Sequence, residues 1–246
     1  MTPGAWFHGR IYERRCDLLP DGSLFVYFAA NWDFSDVTYQ GSWTAVSRPP
    51  WLTALALWPK GGAWNGGGLF RSDRSLWVNH GPDGVVAHQD HQPRGLDVST
   101  ESRGRGEDFP IFGIRLERDG WTKVAELRDE YNLHGGRGNR TVQPLVYERP
   151  LVGSLAVLQL AYSQTDMHPR WDYSLSSAGE SARARLDGAE WADSDEDRGV
   201  VFAKDGCLFR TNPPGDDRVQ IADFNADVRN RRKSPPWARQ WPWEAT

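Results

Sequence analysis

The residues best able to do chemistry gather in two short stretches. His80, His88, Asp90 and His91 lie within a dozen positions of one another. Imidazole groups exchange protons near neutral pH, and imidazole and carboxylate groups hold transition metals. His88-x-Asp90-His91 offers ligands too closely spaced to complete a tetrahedral site, and adding His80 matches no zinc spacing. The expectation is a solvated loop. The second stretch, Asp193-x-Asp195-x-Asp197-x-Gly199, places carboxylates like positions 1, 3 and 5 of a calcium loop. Its glycine comes one residue late, and Lys204 stands where the closing glutamate belongs. It reads as an acidic turn. Neither metal nor cofactor is expected.

Other catalytic signatures are missing from the sequence. There is no Gly-x-Ser-x-Gly nucleophile elbow. Cys16 and Cys207 have no flanking pattern of a catalytic thiol and are expected as reduced core thiols. A glycosidase needs a carboxylate pair at a set separation, which cannot be picked from 33 acidic residues without geometry. The balance leans away from an enzyme.

Composition narrows the partners. The 246 residues carry a net charge of −4, which disfavours a dedicated nucleic-acid binder. No stretch approaches the ~18 apolar residues that span a membrane, and the N-terminal residues lack a signal-type apolar run. A soluble, cytoplasmic protein is therefore expected. Thirteen tryptophans are unusual. They serve either core packing or a stacking surface for flat ligands.

The elements that must position these residues read as β-strands. Leu24–Ala30, Leu52–Trp58 and Leu151–Tyr162 are apolar throughout, as strands covered on both faces are. Trp32, Phe34, Tyr39 and Trp43 follow the first of them in a short polar connection. Ile111–Leu116 reads as a further strand. Trp121, Val124, Leu127 and Tyr131 fall at helical spacing, which predicts one short helix near 121–133. The glycine-rich link 61–68 has no Gly-Lys-Ser/Thr ending and so binds no phosphate in the P-loop manner. It reads as a close sheet contact or a flexible connection. Segment 81–108 is polar and turn-rich, longer than a bare connection requires. Asp205-Gly206 between Val200–Ala203 and Cys207–Phe209 is a strong hairpin signal, because a type I′ turn needs positive φ at both central residues.

Turn aspartates recur at Asp21, Asp73, Asp119, Asp166 and Asp205, at intervals of 39 to 52 residues. With several short strands per interval, the chain resembles β-propeller repeat proteins of about five blades over residues 6–225. Trp32-Asp33 and Trp171-Asp172 are Trp-Asp dipeptides, but the Gly-His partner of a WD40 repeat is absent. The resemblance implies an all-β single domain, 1–246. Its tail, 226–246, carries Trp237, Trp241 and Trp243 beside Arg231, Arg232, Lys233 and Arg239, and is either docked or frayed. A β-sandwich with a helical insertion is the alternative.

The expected function is a non-enzymatic binding module or scaffold that recognises a protein or small ligand through a loop face. Trp64, Asn65, His80, His88, Asp90 and His91 are expected to border that face, with Trp64 as a stacking anchor. The alternatives are a hydrolase or carbohydrate-active enzyme working in a central channel, and a carbohydrate-binding protein built on exposed tryptophans.

Overall fold

The computed structural model describes residues 4–81, 86–100, 108–126, 128–132, 139–165, 168–176, 183–195, 199–212, 217–227 and 232–244. These residues are mostly β, in antiparallel sheets with a single parallel strand pair and one α-helix among them. They divide into two compact units, Met1–Arg115 with Arg229–Thr246, and Leu116–Val228. No helix among them is long and apolar enough to cross a membrane.

The first unit holds a sheet of β1 (Arg10–Ile11), β2 (Asp17–Leu18), β3 (Phe25–Ala30), β4 (Ser42–Ser47) and β5 (Ala56–Pro59). β1 and β2 pair with opposite ends of β3, and β3 continues through β4 to β5. β3 is buried at every residue from Val26 to Ala30. Val26 and Val46 enter a core with Leu24, Trp58, Phe70 and Leu76, whereas Tyr27, Ala29 and Ala45 enter another with Cys16 and Leu57. Both faces are covered, as the unbroken apolar run of β3 requires. A second sheet pairs β6 (Gly68–Ser72) with β7 (Ser75–Val78) antiparallel, and β7 with β8 (Asp97–Thr100) in parallel.

The tail is docked on this unit. Trp241 joins the Val26–Trp58 core and Trp243 stacks on it at 5.0 Å between ring centroids. Arg74 lies 3.5 Å from the centre of the Trp243 ring, whose Nε1 donates to the Arg94 carbonyl.

Two local expectations fail around residue 115. Ile111–Leu116 belongs to a helix, α1 (Phe109–Arg118), rather than a strand. Phe109, Phe112 and Leu116 share one helical face, and Pro110 lies in the first turn, where its missing N–H costs no bond. Asp119-Gly120 then closes this helix instead of turning a hairpin. The Gly120 N–H bonds the Glu117 carbonyl and the Trp121 N–H bonds that of Leu116, with Gly120 at φ +91°. That is a Schellman cap. Consequently the described residues of 121–133 are not helical. Thr122–Ala125 is β9 and Arg128–Asn132 is β10. Pairing of β9 with a neighbouring strand overrides the helical spacing of its apolar residues.

In the second unit, one sheet runs β15 (Arg183–Arg185), β14 (His168–Ser176), β13 (Val157–Thr165), β12 (Leu145–Pro150), β9. A second is the meander β16 (Trp191–Ser194), β17 (Val200–Lys204), β18 (Cys207–Thr211), β19 (Arg218–Asp223). β10 pairs with β11 (Asn139–Gln143). The apolar run 151–162 is not one strand: Leu151–Ala156 is a hydrogen-bonded turn that leaves Val152 and Leu155 exposed. β13 follows it, central in its sheet, with Leu158, Leu160 and Tyr162 buried at alternate positions. Asp205 and Gly206 sit at φ 50° and 74°, the type I′ turn expected between β17 and β18. Asp166 lies outside the described residues.

Candidate functional site

The glycine-rich link of the first unit rests on a buried polar hub. Arg15 is fully buried between the rings of Tyr12 and Phe28. Its Nε donates to Asp108 Oδ1 at 2.9 Å, and its Nη1 donates to the carbonyls of Ala63 and Asn65. A guanidinium can remain charged in a core only when its donors are met. Here the link 61–68 wraps around the charge and supplies two of the acceptors. Gly67 has φ +81°, and a Cβ there would lie 2.2 Å from the Arg15 carbonyl oxygen. The link is thus a close contact rather than a loose connection.

His80 belongs to this hub. Its Nε2 lies 2.9 Å from Thr44 Oγ1, which accepts the Gly67 N–H at 2.7 Å. A hydroxyl beside an imidazole can begin a nucleophilic relay. Both residues are fully buried, so the pair orders the link and does not meet solvent.

His88, Asp90 and His91 are brought together. Backbone bonds from the His88 N–H to the Leu57 carbonyl, and from the Leu57 N–H to the His91 carbonyl, fasten this turn along β5. The Asp90 N–H donates to His88 Nδ1, and His91 Nδ1 donates to the Ala54 carbonyl. The two imidazoles therefore have different tautomers, and His88 has its lone pair occupied. Burial holds the His91 imidazolium below its usual range, although the Ala54 carbonyl favours the charge. Among the described residues no three His, Cys, Asp or Glu side chains are grouped to hold a metal.

The acidic stretch is tied down by arginines. Asp193 pairs with Arg149 and Asp195 with Arg210. Burial raises the Asp193 carboxyl despite Arg149. Asp197 lies outside the described residues. The cysteines are both free. Burial pushes the Cys16 thiol up to about 12, and desolvation with Asp223 raises Cys207, so neither is an activated thiolate.

Whereas His80 is fully buried, Trp64 is exposed, 67% accessible. Asn65 beside it is held at φ 61°. The loop of residues 31–41 between β3 and β4, expected as a polar connection, meets both the His88 turn and the start of the glycine-rich link. Tyr39 stacks on His88 at 5.2 Å. Gln40 reaches Gly61, and the Ser42 hydroxyl exchanges hydrogen bonds with the Gly62 backbone. The loop is internally stitched. Asn31 Oδ1 accepts the Asp33 N–H, Asp33 Oδ1 that of Ser35, and Asp36 Oδ1 those of Thr38 and Tyr39. The N–H groups of Asn31 and Trp32 both bond the Gly41 carbonyl, and that of Gln40 bonds the Asp36 carbonyl. This scaffold exposes Trp32 (47%), Phe34 (55%) and Val37 (87%), with the Trp32 and Phe34 rings edge to face at 5.9 Å. The missed signal was local: Asn or Asp two or three residues before each N–H it caps, interleaved with apolar side chains.

No protein-family model matches this chain, and no curated protein or solved structure matches it.

Proposed function

We propose that the protein is a non-enzymatic binding module that recognises a polypeptide through the 31–41 loop and Trp64. The observation that carries this reading is a loop stitched by its own side chains that nonetheless holds Trp32, Phe34 and Val37 out to solvent. Apolar side chains on a preorganised loop lose little conformational entropy on docking. Trp32 also sits at φ 61°, a left-handed conformation that costs a bulky residue about 1–2 kcal/mol. Such strain is retained where the surroundings over-determine it, and functional loops are frequent sites of it. Asp33 and Asp36 flank the exposed rings, so the fitting partner carries cationic and apolar side chains together. Asp90, exposed on the adjoining turn, adds a third carboxylate.

The propeller reading of the repeat belongs to the same proposal. It is supported by the order of the β12–β15 and β16–β19 meanders, each four consecutive antiparallel strands as in a blade. An experimental structure with the sheets radiating from one axis tests it.

Selection from a displayed random-peptide library tests the binding reading. The wild-type protein is expected to enrich peptides that combine Lys or Arg with Leu or aromatic residues. Trp64→Ala and Trp32→Ala should each lose that enrichment while keeping the thermal midpoint. Absence of enrichment, or enrichment indifferent to both variants, rejects the proposal.

A further inference from the structure

The 88–91 turn and the 31–41 loop meet ring to ring. Tyr39 and His88 stack with 5.2 Å between centroids and 26° between planes. The His91 ring follows, its centroid 5.4 Å from that of His88. The turn is otherwise well tied. The His91 N–H bonds the His88 carbonyl, and Gln92 Nε2 donates to the carbonyls of Ala87 and His88. The His88 side chain is only 10% exposed. On the other side, Asp36 Oδ1 accepts the Thr38 and Tyr39 N–H groups. Tyr39 thus joins two stitched pieces, and what displaces His88 acts on the end of the loop.

This arrangement holds only while the imidazoles are neutral. The Asp90 N–H donates to His88 Nδ1 at 3.2 Å, which requires a lone pair there. Histidine is the side chain that takes up a proton in mildly acidic water. A proton on Nδ1 would meet the Asp90 N–H donor to donor. The Asp90 carboxylate, 4.0 Å from the same nitrogen, is the acceptor within reach. Either the ring turns towards it and leaves the Tyr39 face, or the Asp90 backbone withdraws and distorts the turn. Charging His91 as well sets two like charges 5.4 Å apart, and burial already opposes the His91 charge. Among the described residues, the titratable groups facing the pair are Tyr39 from the loop and Asp90 from the turn itself. Leu57 of β5 and Ala54 before it face the pair with backbone groups. One exposed carboxylate is therefore all that answers two imidazoliums.

We infer that His88 and His91 form a pH switch on the 31–41 loop: neutral, they hold Tyr39 and the display of Trp32, Phe34 and Val37 in place, and protonated, they release it. The inference rests on the polypeptide reading for what release achieves, which is to let a cationic partner go in mildly acidic solution. The added charge repels that partner too, so both effects have one sign. The test needs no partner. Amide exchange of the free full chain is compared at about pH 7.5 and about pH 5, each corrected for the intrinsic chemical rate. Protection of the Thr38, Tyr39 and Gln40 amides is expected to fall about tenfold, and by more than that of the β3 amides. His88→Asn keeps an acceptor near the place of Nδ1 and cannot be charged, so its loop protection should stay level across the same range. Should that variant not fold, the wild-type protein decides by NMR: the Tyr39 amide shift must titrate with the midpoint of an imidazole of the pair. A loop protection that is unchanged overturns the inference. So does one that rises on acidification, as an imidazolium held against the Tyr39 ring would make it. An equal fall in β3, an equal fall in His88→Asn, or a Tyr39 shift that follows neither imidazole also overturns it. Peptide selection at neutral pH tests the polypeptide reading by itself, so the two fail separately.

Discussion

Arg15 in the first unit and Arg149 in the second each meet a carboxylate, and their surroundings differ. Arg15 is sealed from solvent between two rings and also holds two loop carbonyls. Arg149 and Asp193 are each about a quarter exposed, joining β12 to β16 beside other strand-to-strand ion pairs such as Arg183–Glu148. The first unit is organised from within, around a charge that a glycine-rich link must enclose. The second is organised by sheet register, with its charges at the rim. A buried ion is the costlier arrangement, because removing one partner strands the others without water.

Three experiments sharpen or break that contrast. The largest effect is expected from Arg15→Met, which should cost about 3–5 kcal/mol. Arg149→Met should cost about 1 kcal/mol, nearer the value of a partly exposed pair. Urea unfolding gives the sizes, and hydrogen exchange of β3 and β13 amides shows which unit weakens. Similar costs for the two would erase the distinction.

The next effect is pH dependence of opposite sign. His91 is held below its ordinary value of 6.5, so the folded first unit binds fewer protons than the unfolded chain as pH falls through that value. Its stability should fall below pH 6.5 and level off beneath the folded pKa. Asp193 is raised above 3.8, so the folded second unit binds more protons in the window just above 3.8. That unit should gain stability as pH drops through the raised value. Amide exchange followed separately in β5 and β16 measures both slopes. His91→Gln should flatten the first and Asp193→Asn the second.

The smallest effect is expected from Trp32→Gly. Relief of the left-handed backbone is offset by the greater freedom of glycine in the unfolded chain, leaving a net change within about 1 kcal/mol. A loss beyond 2 kcal/mol, by the same urea measurement, would mean that Trp32 packs into the unit and is not simply displayed.

What could be read from the residues follows the range of the forces involved. β3 was legible because a strand covered on both faces must be apolar at every position. The Asp205-Gly206 hairpin was legible because its turn needs two positive φ values. Asp119-Gly120 carries the same dipeptide, but a Schellman cap also needs a positive φ at glycine, so the pair alone cannot separate hairpin from helix end. Only the 109–112–116 spacing upstream distinguishes them. His80 and His88 look alike in sequence, yet one lies in the core beside Thr44 and the other fastens a turn to β5. Burial of a polar group depends on partners distant in sequence, such as Gly67 and Leu57. The 31–41 loop was hidden for the converse reason: Trp32 and Phe34 read as part of a short polar connection, and only geometry shows that the loop is stitched and holds them out to solvent.

The division of the chain has a consequence for biosynthesis. The first unit is discontinuous: Leu116–Val228 is inserted within it, and Trp241 and Trp243 complete its core only after the insertion has been made. Domains usually fold in the order in which they are translated. Here the later-made unit is whole first, because all its strands leave the ribosome before Trp241 does. Until then the apolar wall of Val26, Val46 and Trp58 lacks its last covering ring, so the nascent first unit passes through an open interval of more than a hundred residues of elongation. A released chain truncated before Trp241 would carry every strand of the second unit and a first unit that still invites chaperones.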